Sequence, residues 1–257
     1  SWYEVTTAGN WQDVEMGSGF TCGISGAGSL WCWGSNLSGQ LGLGDTLERL
    51  VPVQVGDATD WTDLSLGGSS VCGVRGTTSL WCWGSDDNGQ IGNGAPSDIQ
   101  DTPYEVFSAA DGHTWKRVSF GMAHVCALDT AGALYCWGDN DGFSGPVGGG
   151  ALGDGTTVDK SSPVQIGSNS WTSISAGRIH NSAIRNDNLL FTWGLNSSGQ
   201  IGDGTTVNKS SPVQIGSSSW ISVSAGYNHM VAIRSDNLLF AWGFEQLETC
   251  SCHHVPH

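Results

Sequence analysis

The sequence predicts an all-β chain of the β-propeller class, built from five blades of four antiparallel strands, and three observations carry that expectation. A Trp-Gly pair recurs at Trp33, Trp83, Trp137, Trp193 and Trp242, in steps of 50, 54, 56 and 49 residues. A second tryptophan series moves in the same register: Trp11, Trp61, Trp115, Trp171 and Trp220 each open a short apolar segment that ends in Gly17, Gly67, Gly121, Gly177 or Gly226. Composition agrees, because 39 glycines among 257 residues and only 13% charged residues favour tight turns between short strands. Self-similarity at one fixed period marks a repeat architecture.

Within one repeat, residues 164–166, 174–176, 182–184 and 189–193 alternate apolar and polar side chains between Gly, Ser and Asn-Asp turns, which predicts four strands. No stretch keeps apolar residues at helical spacing for longer than a turn. A four-stranded blade cannot bury both faces alone, so neighbours must stack, and the two tryptophan series are expected to fill the space between blades.

The motifs W-x-x-(V/I/L)-S-x-G, H-x-x-A-(I/L), L-(Y/F/W)-x-W-G, S-G-Q-(L/I)-G and P-V-Q-(V/I)-G resemble the regulator of chromosome condensation repeat family over nearly the whole chain to Gly243. The resemblance implies a propeller. It implies little about function, since the family holds exchange factors, photoreceptors and secreted enzyme inhibitors on one scaffold. Its members usually have seven blades, whereas five units are present here. The opening WYEV matches the outer-strand PYEV at 103–106, and the last unit stops after three strands. Residues 2–5 are therefore expected to close the ring beside 238–242. The other readings are a piece of a larger ring, or an open arc completed by another chain. Residues 1–243 are assigned to the propeller and 244–257 to a Cys/His-rich tail.

Six of the eight cysteines form three sets of equal spacing: Cys22 with Cys32, Cys72 with Cys82, and Cys126 with Cys136. About the turn at 26–28, Cys22 falls directly opposite Cys32, a geometry that suits a disulfide. Both members vanish together in the last two units, as Ser182 with Thr192 and Val231 with Ala241. Paired loss argues for oxidised pairs and an extracellular, cell-surface or periplasmic setting. The alternative is six ordinary buried thiols.

The tail carries Cys250, Cys252, His253, His254 and His257. These could hold zinc or copper, yet their spacing matches no standard zinc module, and a docked tail or disulfides are the competing readings. His124, His180 and His229 share one repeat position with Phe20 and Ser70, which makes them scaffold residues rather than catalysts. No Ser-His-Asp set is marked, so no catalytic residue and no cofactor are assigned. Asp139, Asn140 and Asp141, and the turns at 153–155 and 202–204, could gather calcium, but the full twelve-residue loop is absent and turn chemistry is the simpler account. Asn36, Asn196 and Asn208 begin glycosylation triplets, which would place them on exposed loops.

Nine basic against 24 acidic residues give a net charge of −15, which repels nucleic acid and anionic membranes. No apolar run is long enough to span a bilayer. Ten of the thirteen tryptophans sit at scaffold positions, unlike the exposed cluster of the photoreceptor relatives. The expected function is a noncatalytic extracellular interaction or structural propeller, one that binds a protein or copies of itself, with a secreted inhibitor or ligand binder as the alternative. Inserted loops are expected to specify the partner, namely 139–151, which includes Phe143, and 95–101 with 109–113.

Overall fold

The computed structural model describes residue 5 and residues 9–76, 78–107, 109–142 and 148–244. The first blade is β1 (Trp11–Met16), β2 (Phe20–Ser25), β3 (Leu30–Gly34) and β4 (Arg49–Gln54). The second is β5 (Trp61–Leu66), β6 (Ser70–Arg75), β7 (Ser79–Asp86) and β8 (Ser97–Phe107), followed by a short 3₁₀ turn, Ala109–Asp111. The third is β9 (Trp115–Phe120), β10 (His124–Asp129), β11 (Leu134–Gly138) and β12 (Lys160–Gln165). The remainder is β13 (Trp171–Ala176), β14 (His180–Arg185), β15 (Leu189–Gly194), β16 (Lys209–Ala225), β17 (His229–Arg234) and β18 (Leu239–Gly243).

Strands follow chain order in every sheet, all antiparallel. Strand β16 serves two blades: its first half pairs with β15 as the outer strand of the fourth, and its second half pairs with β17 as the inner strand of the fifth. The blade is thus offset by one strand from the sequence repeat. The segment around Val164 pairs with β11 of the preceding unit, not with the strand that holds Ile174.

In four of the five blades the middle hairpin turns on a left-handed residue at the same position. Gly28, Gly132, Asn188 and Asn237 occupy equivalent positions with φ of 80°, 91°, 66° and 66°. Glycine and asparagine tolerate this region at least cost, which explains why these two types stand at the four positions.

The core lies between blades. One cluster joins Ile24, Leu30 and Leu41 of the first blade to Trp61, Leu64 and Trp83 of the second, and the next joins Val74, Leu80 and Ile91 to Trp115, Val118 and Trp137. The Trp-Gly tryptophans Trp83, Trp137 and Trp193 are wholly buried, and Trp83 and Trp193 pack against the first-series tryptophans of their own blades, Trp61 and Trp171. Full burial of one such side chain contributes roughly 1.5–3 kcal/mol or more, which no isolated blade could collect.

Hydrogen bonds repeat at each joint as regularly as the packing. The indoles of Trp83, Trp137, Trp193 and Trp242 donate to the main-chain oxygens of Gln40, Gln90, Ala151 and Gln200 in the preceding unit, at 2.9–3.0 Å. Along the inner strands, Ser65, Ser119 and Ser175 accept the main-chain N–H of Phe120, Ala176 and Ala225. The loop after each of the first four Trp-Gly pairs is held by one buried side chain. Asn36, Asp86, Asn140 and Asn196 accept the N–H of Leu41, Ile91, Leu152 and Ile201 through their Oδ1 atoms.

The end blades differ from the middle three. Val14 and Met16 of β1 are 57% and 78% exposed, where Leu64, Val118 and Ile174 are buried. Leu239 of β18 is 69% exposed, where Leu30, Leu80, Leu134 and Leu190 are wholly buried. Of the segment expected to close the ring, residues 2–4 lie outside the described residues, and the oxygen of Val5 accepts the indole N–H of Trp11 in its own blade. Among the described residues the fifth blade has three strands, and each end of the series keeps an open face.

Candidate binding face at the blade axis

Strands β1, β5, β9, β13 and the second half of β16 stand side by side around the axis, and the turns that follow them meet at one rim. There the N–H of Ser18 donates to the oxygen of Gly68, Gly68 to Met122, and Met122 to Arg178. The glycine before each of these residues is forced by a close approach. A Cβ on Gly121 would stand 2.2 Å from the His124 ring and 2.6 Å from the oxygen of Gly177.

On this fixed frame the residue after the glycine changes from blade to blade: Ser18, Gly68, Met122, Arg178 and Tyr227. With Met16 and Phe120 they line a depression of about 470 Å³. The Arg178 guanidinium lies 4.6 Å from the centre of the Tyr227 ring, and its Nε is 3.5 Å from the Met122 sulfur. Tyr227 and Met122 are 59% and 39% exposed. An arginine stacked on tyrosine beside methionines has the composition of a protein-contact surface.

Deeper on the axis the wall is polar and mostly acidic. Asp13, Glu15, Asp63 and Arg117, with Ser65, Ser119, Ser175 and Ser224, surround a cavity of about 300 Å³. Burial pushes the Asp63 carboxyl up to about 6, helped by the charge of Asp13 and resisted by the N–H of Val118, which its Oδ2 accepts at 2.7 Å. Burial also raises Glu15, as do the charges of Asp13 and Asp63.

His124 and His180 are buried beneath the rim and belong to the frame, whereas His229 of the fifth blade is exposed. His124 Nε2 donates to Asn181 Oδ1 of the next blade at 3.1 Å, a direction fixed because the Asn181 amide donates to the oxygen of Ala151. Burial pulls both His124 and His180 down to about 4, so both are neutral at ordinary pH.

The other sites read from the sequence are placed as follows. Cys22 faces Cys32, Cys72 faces Cys82 and Cys126 faces Cys136 across their hairpins, each pair joined as a disulfide with Cα atoms 4.1, 4.1 and 4.2 Å apart. Asp154 and Asp203 serve their turns, accepting from Thr156 and Thr205 and pairing with Lys160 at 3.4 Å and Lys209 at 3.0 Å. Asp139, Asp141 and Asp159 bring carboxylate oxygens within 4.8 Å of one another. The loop itself uses two of them: Asp139 Oδ1 accepts from Asp141 and Gly142, and Asp159 Oδ1 from Asn140. Asn140 is thereby a loop organiser and not part of an acidic trio. His113 of the second expected loop packs among Phe107, Trp115 and Tyr135 instead of projecting toward a partner. Phe143 and Cys250, Cys252, His253, His254 and His257 lie outside the described residues.

One expectation is corrected, and one group of residues was missed. Asn36 and Asn196, taken as exposed glycosylation acceptors, are wholly buried, and their amides donate to the oxygens of Asp45 and Leu47, and of Thr205 and Val207. The triplet records side-chain order and is blind to burial. The rim residues Met122, Arg178 and Tyr227 were not singled out, although the signal was present as the position that varies between a fixed glycine and a recurring histidine.

Sheets of four antiparallel strands, joined through tryptophans around a polar axis, define a β-propeller of the repeat type. Two family models, each described as the regulator of chromosome condensation (RCC1) repeat, match residues 27–74, 79–128 and 187–233, and residues 11–40, 115–142 and 171–200. The chain belongs to the RCC1-repeat family. It is 32% identical over 186 residues to the ultraviolet-B receptor UVR8 of Arabidopsis thaliana, covering 70% of this chain and 40% of that protein. Its fold is similar to that of human WBSCR16 (TM-score 0.77, 20% identity, 89% of this chain and 59% of that one). It is likewise similar to yeast RCC1 (Prp20), solved bound to Kap60 (TM-score 0.74, 18% identity, 88% of this chain and 54% of that one). The chain therefore spans between two fifths and three fifths of the length of these relatives.

Proposed function

We propose that the chain is a noncatalytic extracellular interaction module that holds a protein partner on its axial rim. One observation carries the reading. The recurring reactive residues His124, Asp154 and Asp203 are consumed by the frame, whereas Met122 and Tyr227 are exposed, Arg178 lies half-buried against Tyr227, and these three differ from blade to blade. Protein partners are in keeping with the family, since the yeast relative is known bound to Kap60 and for its binding to Gsp1p and histones. The extracellular setting rests on the three cysteine pairs. The net charge of −15 favours a partner with a basic contact surface and disfavours nucleic acid. A photo-crosslinking residue at position 227, compared with one at exposed Leu50 on an outer strand, tests the reading in the native medium. A stoichiometric adduct at 227 alone supports it, and adducts at 50 alone, or at neither, contradict it.

A further inference from the structure

Equivalent grooves between neighbouring blades are filled at one joint and open at another. Between the second and third blades, the Phe107 ring lies 4.7 Å from that of Trp115 and 5.6 Å from that of Tyr135. His113 lies 5.3 and 5.1 Å from the same two rings. Its Nδ1 is 3.3 Å from Asp129 Oδ2, and Asp129 faces Trp115 across the strand pair. The second unit thus plugs this joint with two rings of its own.

Between the first and second blades the same places are vacant. Gln54 pairs with Trp31 as Glu105 pairs with Trp81, so two residues further on Gly56 is the counterpart of Phe107. Gly56 has φ of 59°, and a Cβ there would meet no atom within 4 Å. The counterpart of His113, two residues before the tryptophan, is exposed Thr59. What remains is a groove of about 690 Å³ lined by Trp61 and Trp81, the counterparts of Trp115 and Tyr135, with Leu43, Val55 and Gly56. Both blades that form it have their four strands.

One charge is exchanged between the two joints. Arg75 faces Trp61 where Asp129 faces Trp115, and its guanidinium lies 5.1 Å from the Trp81 ring centre and 5.7 Å from that of Trp61. Its Nε donates to half-exposed Asp60, and its Nη groups have no acceptor among the described residues. Asp57 also lines the groove but is exposed, so solvent screens it more than it does Arg75, half-buried against two rings. The corresponding groove between the third and fourth blades, of about 530 Å³, is lined by Trp171 but by neither Phe191 nor Arg185.

We propose that the groove between the first two blades binds a small aromatic carboxylate. Its ring takes the place that Phe107 holds at the next joint, and its carboxylate pairs with Arg75. The ring follows from that next joint, where the chain itself stacks aromatic rings on the matching walls. The charge follows from the exchange of Asp129 for Arg75: an imidazole of the plug meets a carboxylate there, so an acid on the ligand meets a guanidinium here. The volume is that of a small-molecule site. Trp61 begins β5 and the rim residue Gly68 lies beyond its other end, so this site is separate from the rim and does not rest on the reading given to it.

The test is fluorine NMR on the full chain with para-fluorophenylacetate, and with the matching amide and the matching phenethylamine as neutral and cationic probes. A ligand of this size should bind with a Kd on the order of 1 mM. The acetate is expected to bind at least about fivefold tighter than either other probe. Arg75→Asp, which installs the residue of the third blade, should reverse the order of acetate and amine. The milder Arg75→Gln should abolish the preference for acetate over amide, and Trp81→Leu should weaken all three probes. Far-UV circular dichroism checks that each variant folds, and the comparison of probes on the wild type needs no variant. Acetate that binds the wild type no better than the amide overturns the proposal, as does an unchanged order in a folded Arg75 variant or undiminished binding by folded Trp81→Leu. None of these outcomes bears on the rim, which crosslinking at position 227 reads separately.

Discussion

Trp137 in the third blade donates its indole N–H to the main-chain oxygen of Gln90 in the second, at 2.9 Å, with both groups sealed from water. A large apolar ring fills the joint while its one polar atom meets the one carbonyl that would otherwise be stranded there. This pairing explains why the Trp-Gly and S-G-Q motifs keep step along the chain, since each unit supplies the acceptor for the next unit's donor.

Replacing Trp137 with phenylalanine removes that donor and leaves the Gln90 oxygen buried and unpaired. The expected cost is about 1–3 kcal/mol in urea unfolding, beyond the smaller loss of packing. The same change at Trp33, which is less buried and has no acceptor among the described residues, should cost clearly less. Equal losses at the two positions would show that the hydrogen bond is not what distinguishes them.

The three hairpin disulfides each close a loop with a sequence separation of 10 residues. Loops of this size stabilise by roughly 2–3 kcal/mol apiece. Thiol titration of unfolded, unreduced native protein should find at most the two tail cysteines, Cys250 and Cys252, and reductant should lower the unfolding midpoint markedly. Six further reactive thiols in freshly isolated material would remove the grounds for an extracellular setting.

Acid should destabilise the frame before it touches the turns. His124 and His180 titrate near 4 in the folded state against a reference of 6.5, so between those values the unfolded chain binds more protons and stability falls as the pH falls. The full effect is on the order of 3 kcal/mol per imidazole. Asp63 works in the opposite direction. Its pKa, raised to about 6, means that the folded state binds more protons between 3.8 and 6, so its contribution improves on acidification. Glu15, Asp86 and Asp139 are raised as well and act with Asp63, so the loss from about pH 6.5 to 4 belongs to the two histidines. Substituting phenylalanine for His180, as Phe20 stands in the first blade, should remove the His180 share of that loss, on the order of 3 kcal/mol. An unchanged pH profile in this variant would contradict the assignment.

Much of the fold was legible because each tryptophan and glycine series performs one task at every joint, and a task repeated in space must be repeated in sequence. The histidines were read as scaffold for the same reason, and His124 crosses to Asn181 of the next blade. The rim escaped because Met122, Arg178 and Tyr227 share a position but no chemistry, so periodicity passes over them. Asn36 and Asn196 misled because a three-letter pattern carries no depth, and only the folded loop shows their amides capping Leu47 and Val207. His113 was placed on a contact loop because its packing partners Phe107 and Tyr135 are close in space only.

The buried organisers give a sharp comparison. Asn196→Asp would set a second carboxylate against Asp203, whose Oδ1 now accepts the Asn196 amide, and should cost about 2 kcal/mol or more. Asp86 carries a carboxylate at the equivalent position because Asn93 and Ser97 donate to it. Peptide mapping should accordingly find no glycan on Asn36 or Asn196. A glycan on either in folded protein would contradict their burial.

Serine stands at the rim position of the first blade, so the variant Met122→Ser/Arg178→Ser/Tyr227→Ser tests the rim with the frame's own residue. Its thermal midpoint and its retention of partner from the native medium are to be measured together. Exposed side chains of this kind should shift the midpoint by no more than about 2 °C, while partner retention falls by at least about tenfold. A variant that stays folded and keeps its partner would contradict the placement of function at the axis.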